Sequence, residues 1–135
     1  MLGSCARSGE QTLTLPSDFQ RKLATMRAEP KFQADAGGLY TGVHNEAERL
    51  RAEGAINALI DRLEREVSAH PTKRFVLGAF SRTLSQIELS DTEDRERACA
   101  YLEQIMDIVG LKSSDGLLNR WLYGFDPRRA KRASP

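Results

Sequence analysis

The chain carries only two cysteines, Cys5 and Cys99, and two histidines, His44 and His70, among its 135 residues. The cysteines stand too far apart to suggest a disulfide framework or paired metal ligands, so both read as free thiols of a reducing compartment. Each histidine lies at the edge of a predicted helix, beside Asn45 or Pro71, without a second ligand in register. Neither a metal nor any other cofactor is expected. Long apolar runs are missing too: the longest, such as residues 75–80, fall far short of the ~18 that span a bilayer. No stretch alternates apolar and polar side chains at period two, and nothing repeats.

Net charge is scarce as well, at +1 from 20 basic and 19 acidic residues, and it is unevenly placed. Setting aside Arg128, Arg129, Lys131 and Arg132 leaves 16 basic against 19 acidic groups, so Met1 to Pro127 carries −3. Nucleic-acid binding normally needs a basic face on the folded domain, and a slightly acidic body with a basic tail does not supply one. Four clustered cations in a tail give only weak, salt-sensitive affinity for phosphates or an anionic surface. The tail, residues 128–135, is expected to be disordered and solvated.

The leader, residues 1–14, has no helical period and is expected to be disordered. Leu2-Gly3-Ser4-Cys5 looks like a lipoprotein processing box but lacks the charged start and apolar stretch such a signal needs upstream. The expected location is cytoplasmic, with a lipid-anchored periplasmic form as the alternative if an upstream signal segment precedes Cys5.

What the sequence does contain is helical periodicity, punctuated by caps and stops. Ser17 with Gln20 makes a capping box, Phe19, Leu23 and Met26 recur at helical spacing, and Pro30 ends a helix of about 18–28. Residues 33–42, with Gly37, Gly38 and Gly42, form a loop whose Leu39 and Tyr40 should dock on the core. The paired glycines lack the lysine, threonine and preceding strand of a phosphate cradle. Asn45 with Glu48 starts a second helix to about Ser68, with Ala52, Ile56, Leu59, Ile60, Leu63 and Val67 as its stripe. Gly54 is its weak point, or a place of close helix approach. Pro71 opens a third helix of about 72–88, whose wide apolar face (Val76, Phe80, Thr83, Leu84, Ile87) suggests a central element adjoining the second.

Ser90 with Glu93 caps a fourth helix whose first turns hold Asp91, Glu93, Asp94 and Glu96, the sign favoured at a helix N-terminus. Ala98, Leu102, Ile105, Met106 and Val109 form its stripe, and Gly110 followed by Leu111 matches a left-handed stop with an apolar fold-back. Ser113 or Ser114 begins a short last helix with Leu117, Leu118, Trp121 and Leu122 inward, stopped by Gly124 and Asp126-Pro127. The expected architecture is all-α: a single domain over residues 15–127, a compact bundle of four longer helices and a short C-terminal one.

The matching text for a resemblance runs Asp91-Thr92-Glu93-Asp94-Arg95-Glu96, Tyr101-Leu102-Glu103 and Ile105-Met106-Asp107. It continues through Gly110, Ser113-Ser114-Asp115-Gly116, Asn119 and Trp121 to Tyr123-Gly124-Phe125-Asp126. Over residues 40–127, and loosely before Ser90, the chain resembles a small family of uncharacterised bacterial proteins, a domain of unknown function. The resemblance implies a compact helical domain and no particular activity.

Capping and a solvated acidic face account for most of the polar residues. Adjacent acids in a first turn point apart and stay wet, unlike the paired carboxylates of acid–base catalysis. No serine sits in a nucleophile elbow between strand and helix. What remains is an acidic helix start and an aromatic helix end, and aromatics there are typical interface anchors. The leading reading is a soluble, non-enzymatic protein–protein interaction module (inhibitor, immunity-type protein or adaptor). Its candidate contacts are Glu93, Glu96, Asp115, Asn119, Trp121 and Tyr123, with no nucleic acid and no membrane span. The alternative is a small-molecule binder or enzyme near Asp115, Asn119 and Tyr123, where the first two would share a helical face. A homodimer burying the wide faces of the second and third helices is a third possibility.

Overall fold

Two of the five helices begin one residue from the expected cap, one begins as expected, and the third and the last begin two residues or more later. In the computed structural model, which describes residues 11–124, α1 spans Phe19–Ala28, α2 Glu46–Glu66, α3 Lys73–Gln86, α4 Thr92–Val109 and α5 Leu117–Leu122. Asn45 caps α2 as expected, its side chain accepting from the Glu48 N–H at 3.0 Å. For α3 the cap is Thr72, which accepts from Phe75 N–H at 3.1 Å, so Pro71 lies one position outside the helix. For α4 the cap is Asp91 rather than Ser90, with Glu93 N–H donating at 2.9 Å. The expected Ser17 box does not form at α1. Asp18 holds the N-cap position, and its carboxylate pairs with Arg21 at 3.2 Å and Lys22 at 3.5 Å. Gly110 takes the left-handed backbone (φ 78°), and Leu111 folds back as a buried residue with its N–H on the Met106 carbonyl at 2.9 Å.

The architecture is all-α, with no strand among the described residues. Its centre is the pair α2 and α4: α2 packs on α1, α3 and α4, and α4 on α1, α2 and α5. The third helix, expected to be central, packs chiefly on α2 and α5. Its wide apolar face has a local explanation, since the half-buried Phe75 stacks on His70 at 5.4 Å and lies 5.3 Å beneath the Arg62 guanidinium. The predicted stripes are otherwise the core: Leu23, Ile56, Ile60, Leu63, Val67, Val76, Phe80, Leu102, Ile105 and Val109 are wholly shielded from solvent. The apolar faces of α2 and α3 that motivated a homodimer are thus covered within the chain itself.

Residues 11–14 are not loosely attached. Thr12 pairs with Thr72 in an antiparallel bridge, Leu13 N–H donates to the Pro71 carbonyl at 2.7 Å, and the Leu13 side chain is buried. The strand-like strap then crosses the end of α4, where a Cβ on Gly110 would stand 2.6 Å from the Thr14 carbonyl oxygen. One apolar residue in a polar leader has no periodicity to announce it. Cys5 and the rest of residues 1–10, Phe125 to Pro127, and the basic tail lie outside the described residues. No helix of the described residues is long and apolar enough to cross a membrane.

Candidate functional site

Arg95 organises the corner where the start of α4 meets the end of α5. Its guanidinium donates to the carbonyls of Leu89 at 3.1 Å, Leu122 at 3.2 Å and Trp121, and lies 3.9 Å over the Trp121 ring. A cation at a helix C-terminus satisfies carbonyls that have no partner within the helix and complements the dipole, and stacking on tryptophan adds a quadrupole attraction. Six residues form no stable helix alone. Tertiary contacts hold α5 in place: Arg95 at one end, buried Leu118 in the middle, and the Cys99 thiol 3.7 Å from the Leu118 carbonyl. Burial pushes the Cys99 thiol up to about 11, so it stays protonated and unreactive at neutral pH.

Beside this corner runs an open groove of about 530 Å³. Leu84, Ile87, Leu89 and Trp121 contribute its apolar surface, Glu48 and Glu88 its carboxylates, and Gly124 its edge. Tyr123, the C-cap of α5, is 79% exposed. Of the residues singled out from sequence, Trp121 and Tyr123 stand at this end of α5, and Glu93 and Glu96 are exposed in the first turns of α4 without lining the groove.

Asp115 and Asn119 are arranged differently. The pair does not share a helical face, because α5 starts only at Leu117, after two left-handed residues, Asp115 (φ 55°) and Gly116 (φ 83°). Aspartate and glycine are the residue types that tolerate this backbone, and together they postpone the helix. The exposed Asp115 carboxylate takes Lys73 Nζ at 2.7 Å and Ser113 Oγ at 3.4 Å, which ties the α4–α5 turn to the start of α3. Asn119 faces solvent. Among the described residues, no three or more His, Cys, Asp or Glu side chains are grouped to hold a metal ion.

Sequence reasoning missed a second polar cluster, at the junction of α1, α2 and α4. Lys31 is 1% exposed, and its ammonium donates to the carbonyls of Met26 at 2.7 Å, Glu29 at 2.8 Å and Arg27 at 3.4 Å, tying off the end of α1. Burial pulls the Lys31 ammonium below its usual range. Glu53 accepts from Lys31 N–H at 2.8 Å and from Arg49 at 3.4 Å. Buried Arg49 also reaches the Lys31 carbonyl at 3.0 Å and grips both Glu46 oxygens at 2.9 Å, which holds the Glu46 carboxyl below the usual range. Phe32, at φ 63°, donates its N–H to Tyr101 Oη at 2.8 Å and meets the same ring edge-to-face at 5.1 Å. Tyr40 is buried, donates to Asp94 at 2.6 Å and lies 4.1 Å beneath the Arg97 guanidinium, which itself reaches Asp35 at 2.8 Å. Leu39, expected to dock beside it, is exposed instead. Asn57 Oδ1 is buried without a hydrogen-bond partner. A signal for this cluster did exist: Arg49 extends the Ala52–Ile56 stripe by one turn, and a charge in apolar register points to an internal partner.

Over residues 14–126 the chain matches the family described as Domain of unknown function (DUF4844). Among solved structures it is similar to a DUF3571 family protein from Acinetobacter baumannii. The two share 34% identity over 87% of this chain and 97% of that one, with a TM-score of 0.73. Among curated proteins none matches.

Proposed function

This chain belongs to the DUF4844 family, and from the corner where α4 meets α5 we propose that it is a non-enzymatic protein-binding module. The observation that carries the reading is an open groove lined by a half-buried tryptophan, with a tyrosine two residues further along the chain left 79% in solvent. Protein interfaces concentrate their binding energy in such aromatic anchors beside concavities, surrounded by polar residues. Glu48, Glu88, Ser85 and Ser90 provide the polar lining, Glu93 and Glu96 stand exposed in the first turns of α4, and Arg95 fixes the aromatic end of α5 against α4. An inhibitor, an immunity-type protein or an adaptor would each use a surface of this kind. Reacting chemistry has less support. Asp115 is exposed and engaged by Lys73, whereas acid–base work needs a carboxyl whose environment sets it apart.

The test is affinity capture from the native cell with three baits: the unaltered chain, Tyr123→Ala, and Glu93→Lys with Glu96→Lys. A partner retained by the first bait and lost from both variants, with unchanged helical circular dichroism, is the expected result. A partner held equally by all three would end the assignment of this corner, and capture of nothing above background would end the module reading.

A further inference from the structure

The groove beside Trp121 is lined by both carboxylates and apolar side chains. Glu48, at the start of α2, and Glu88, after α3, supply carboxylates, and both residues are exposed. Leu84, Ile87 and Leu89, all buried, line the groove's floor beside the half-buried Trp121. Among the described residues the one basic residue in the lining is Arg95, whose guanidinium is taken up by three backbone carbonyls and the indole face. The surrounding body has the same sign. Taking Arg7, Arg128, Arg129, Lys131 and Arg132 from the 20 basic residues, and Glu10 and Asp126 from the 19 acids, leaves 15 against 17 for residues 11–124.

We propose that the groove's occupant is a basic segment of a partner protein, led by an aromatic or aliphatic anchor. The anchor packs at the half-buried Trp121, and arginine or lysine side chains meet the exposed Glu48 and Glu88. This assignment rests on reading the corner as a protein-binding site and gives it a ligand chemistry. An acidic ligand would have to leave its carboxylates beside Glu48 and Glu88 with no uncommitted cation among the described lining residues to answer them, and like charges brought together at an interface are unfavourable. The attraction is between exposed groups, so it steers association and weakens with salt.

Trp121 is the only tryptophan of the chain and lines the groove, so its emission reports occupancy directly. The probe is the synthetic peptide acetyl-Gly-Phe-Gly-Arg-Arg-Gly-Lys-Arg-amide, titrated into the full chain beside a counterpart with glutamate at every basic position. The basic peptide should change Trp121 emission saturably and lose affinity with added salt, and the acidic peptide should have no effect. Glu48→Lys with Glu88→Lys, both at exposed positions, should weaken the basic peptide roughly tenfold, as two lost and reversed surface pairs imply. An unchanged emission up to millimolar peptide, an equal response to both peptides, or undiminished binding by the double lysine variant would each overturn the proposal. If Tyr123-dependent capture persists while the peptide fails, the module reading stands and the occupant chemistry is wrong. A last arm uses the full chain with Phe125→Ala, Arg128→Glu and Arg129→Glu. If only that variant binds the peptide, the groove is already claimed by the segment following Gly124, and assignment to a partner is overturned.

Discussion

Two sides of α4, with their neighbours, spend their polar groups in opposite ways. At the junction of α1, α2 and α4, Lys31, Arg49, Glu53, Tyr40, Tyr101 and Asp94 bond to one another and to the backbone. At the α4–α5 corner one arginine does the structural work, while Glu93, Glu96 and Tyr123 remain in solvent. The first cluster is a joint: it ends α1, bends the chain through a left-handed phenylalanine and anchors a long loop. The second is a surface with little structural demand on its outer residues. A polar residue that the fold does not need is the better candidate for a partner, which is why function is placed at the corner and not at the denser cluster.

The comparison is sharpest if the joint is broken. Arg49→Ala removes a buried guanidinium and leaves Glu53 and the Lys31 carbonyl without it, at a cost of roughly 3 kcal/mol in chemical denaturation. The sign of its pH dependence is set by Glu46. A carboxyl whose folded pKa is depressed contributes stability above its unfolded pKa and loses it as pH falls through the folded one. The unaltered chain should therefore lose stability through and below the ordinary carboxylate range, and Arg49→Ala should lose less there. A cost well under 1 kcal/mol, or an unchanged acid limb, would mean that the joint is ornamental.

A subtler break is Tyr101→Phe. The ring, and with it the edge-to-face contact on Phe32, is kept, while the Phe32 N–H loses its acceptor at 2.8 Å. An orphaned N–H of this kind costs about 1.5 kcal/mol. Loss of the ring itself would cost more, so Tyr101→Ala serves as the comparison in the same denaturation series. Equal stability of Tyr101→Phe and the unaltered chain would show that water replaces the hydroxyl.

The opposite sign is expected one residue beyond Glu53. Gly54 was legible as a weak point of α2, and the choice left open was between a tight helix contact and plain cost. A Cβ there would meet nothing within 4 Å, so cost is the answer. Gly54→Ala should raise stability by about 1 kcal/mol, read as a higher denaturation midpoint at unchanged slope. Destabilisation would place an unseen neighbour on that face.

The helices and their core faces were legible because apolar spacing of three and four is a strong signal that survives without tertiary context, as Ile56, Ile60, Leu63 and Val67 show. Caps were legible to within a residue at α1, α2 and α4, but not at α3 or α5, where the helix starts two residues or more after the expected Pro71 and Ser114. Ser90 and Asp91 are both capping types, and the choice between them is settled by which backbone turns first. The joint was legible only through Arg49, a charge in apolar register; its loop contacts were not, because Lys31 and Tyr101 meet across more than sixty positions only through Phe32, and no local pattern encodes a contact that a loop creates. Of the site, the acidic start of α4 and the aromatic end of α5 were visible separately. What joins them is Arg95, which sits among the charges of a first turn and looks like any of them.

The smallest expected effect is the one the functional argument most depends on. Tyr123→Ala should change stability by less than about 0.5 kcal/mol, because a residue 79% exposed has little burial to lose and its N–H still reaches the Asn119 carbonyl. The same holds for Glu93→Ala, since Asp91 accepts the backbone N–H of Glu93 whatever its side chain. Thermal and chemical denaturation of both variants beside Arg49→Ala would set the contrast on one scale. If Tyr123→Ala proves as costly as Tyr101→Phe, the tyrosine is a structural part of α5, and its exposure no longer points to a partner.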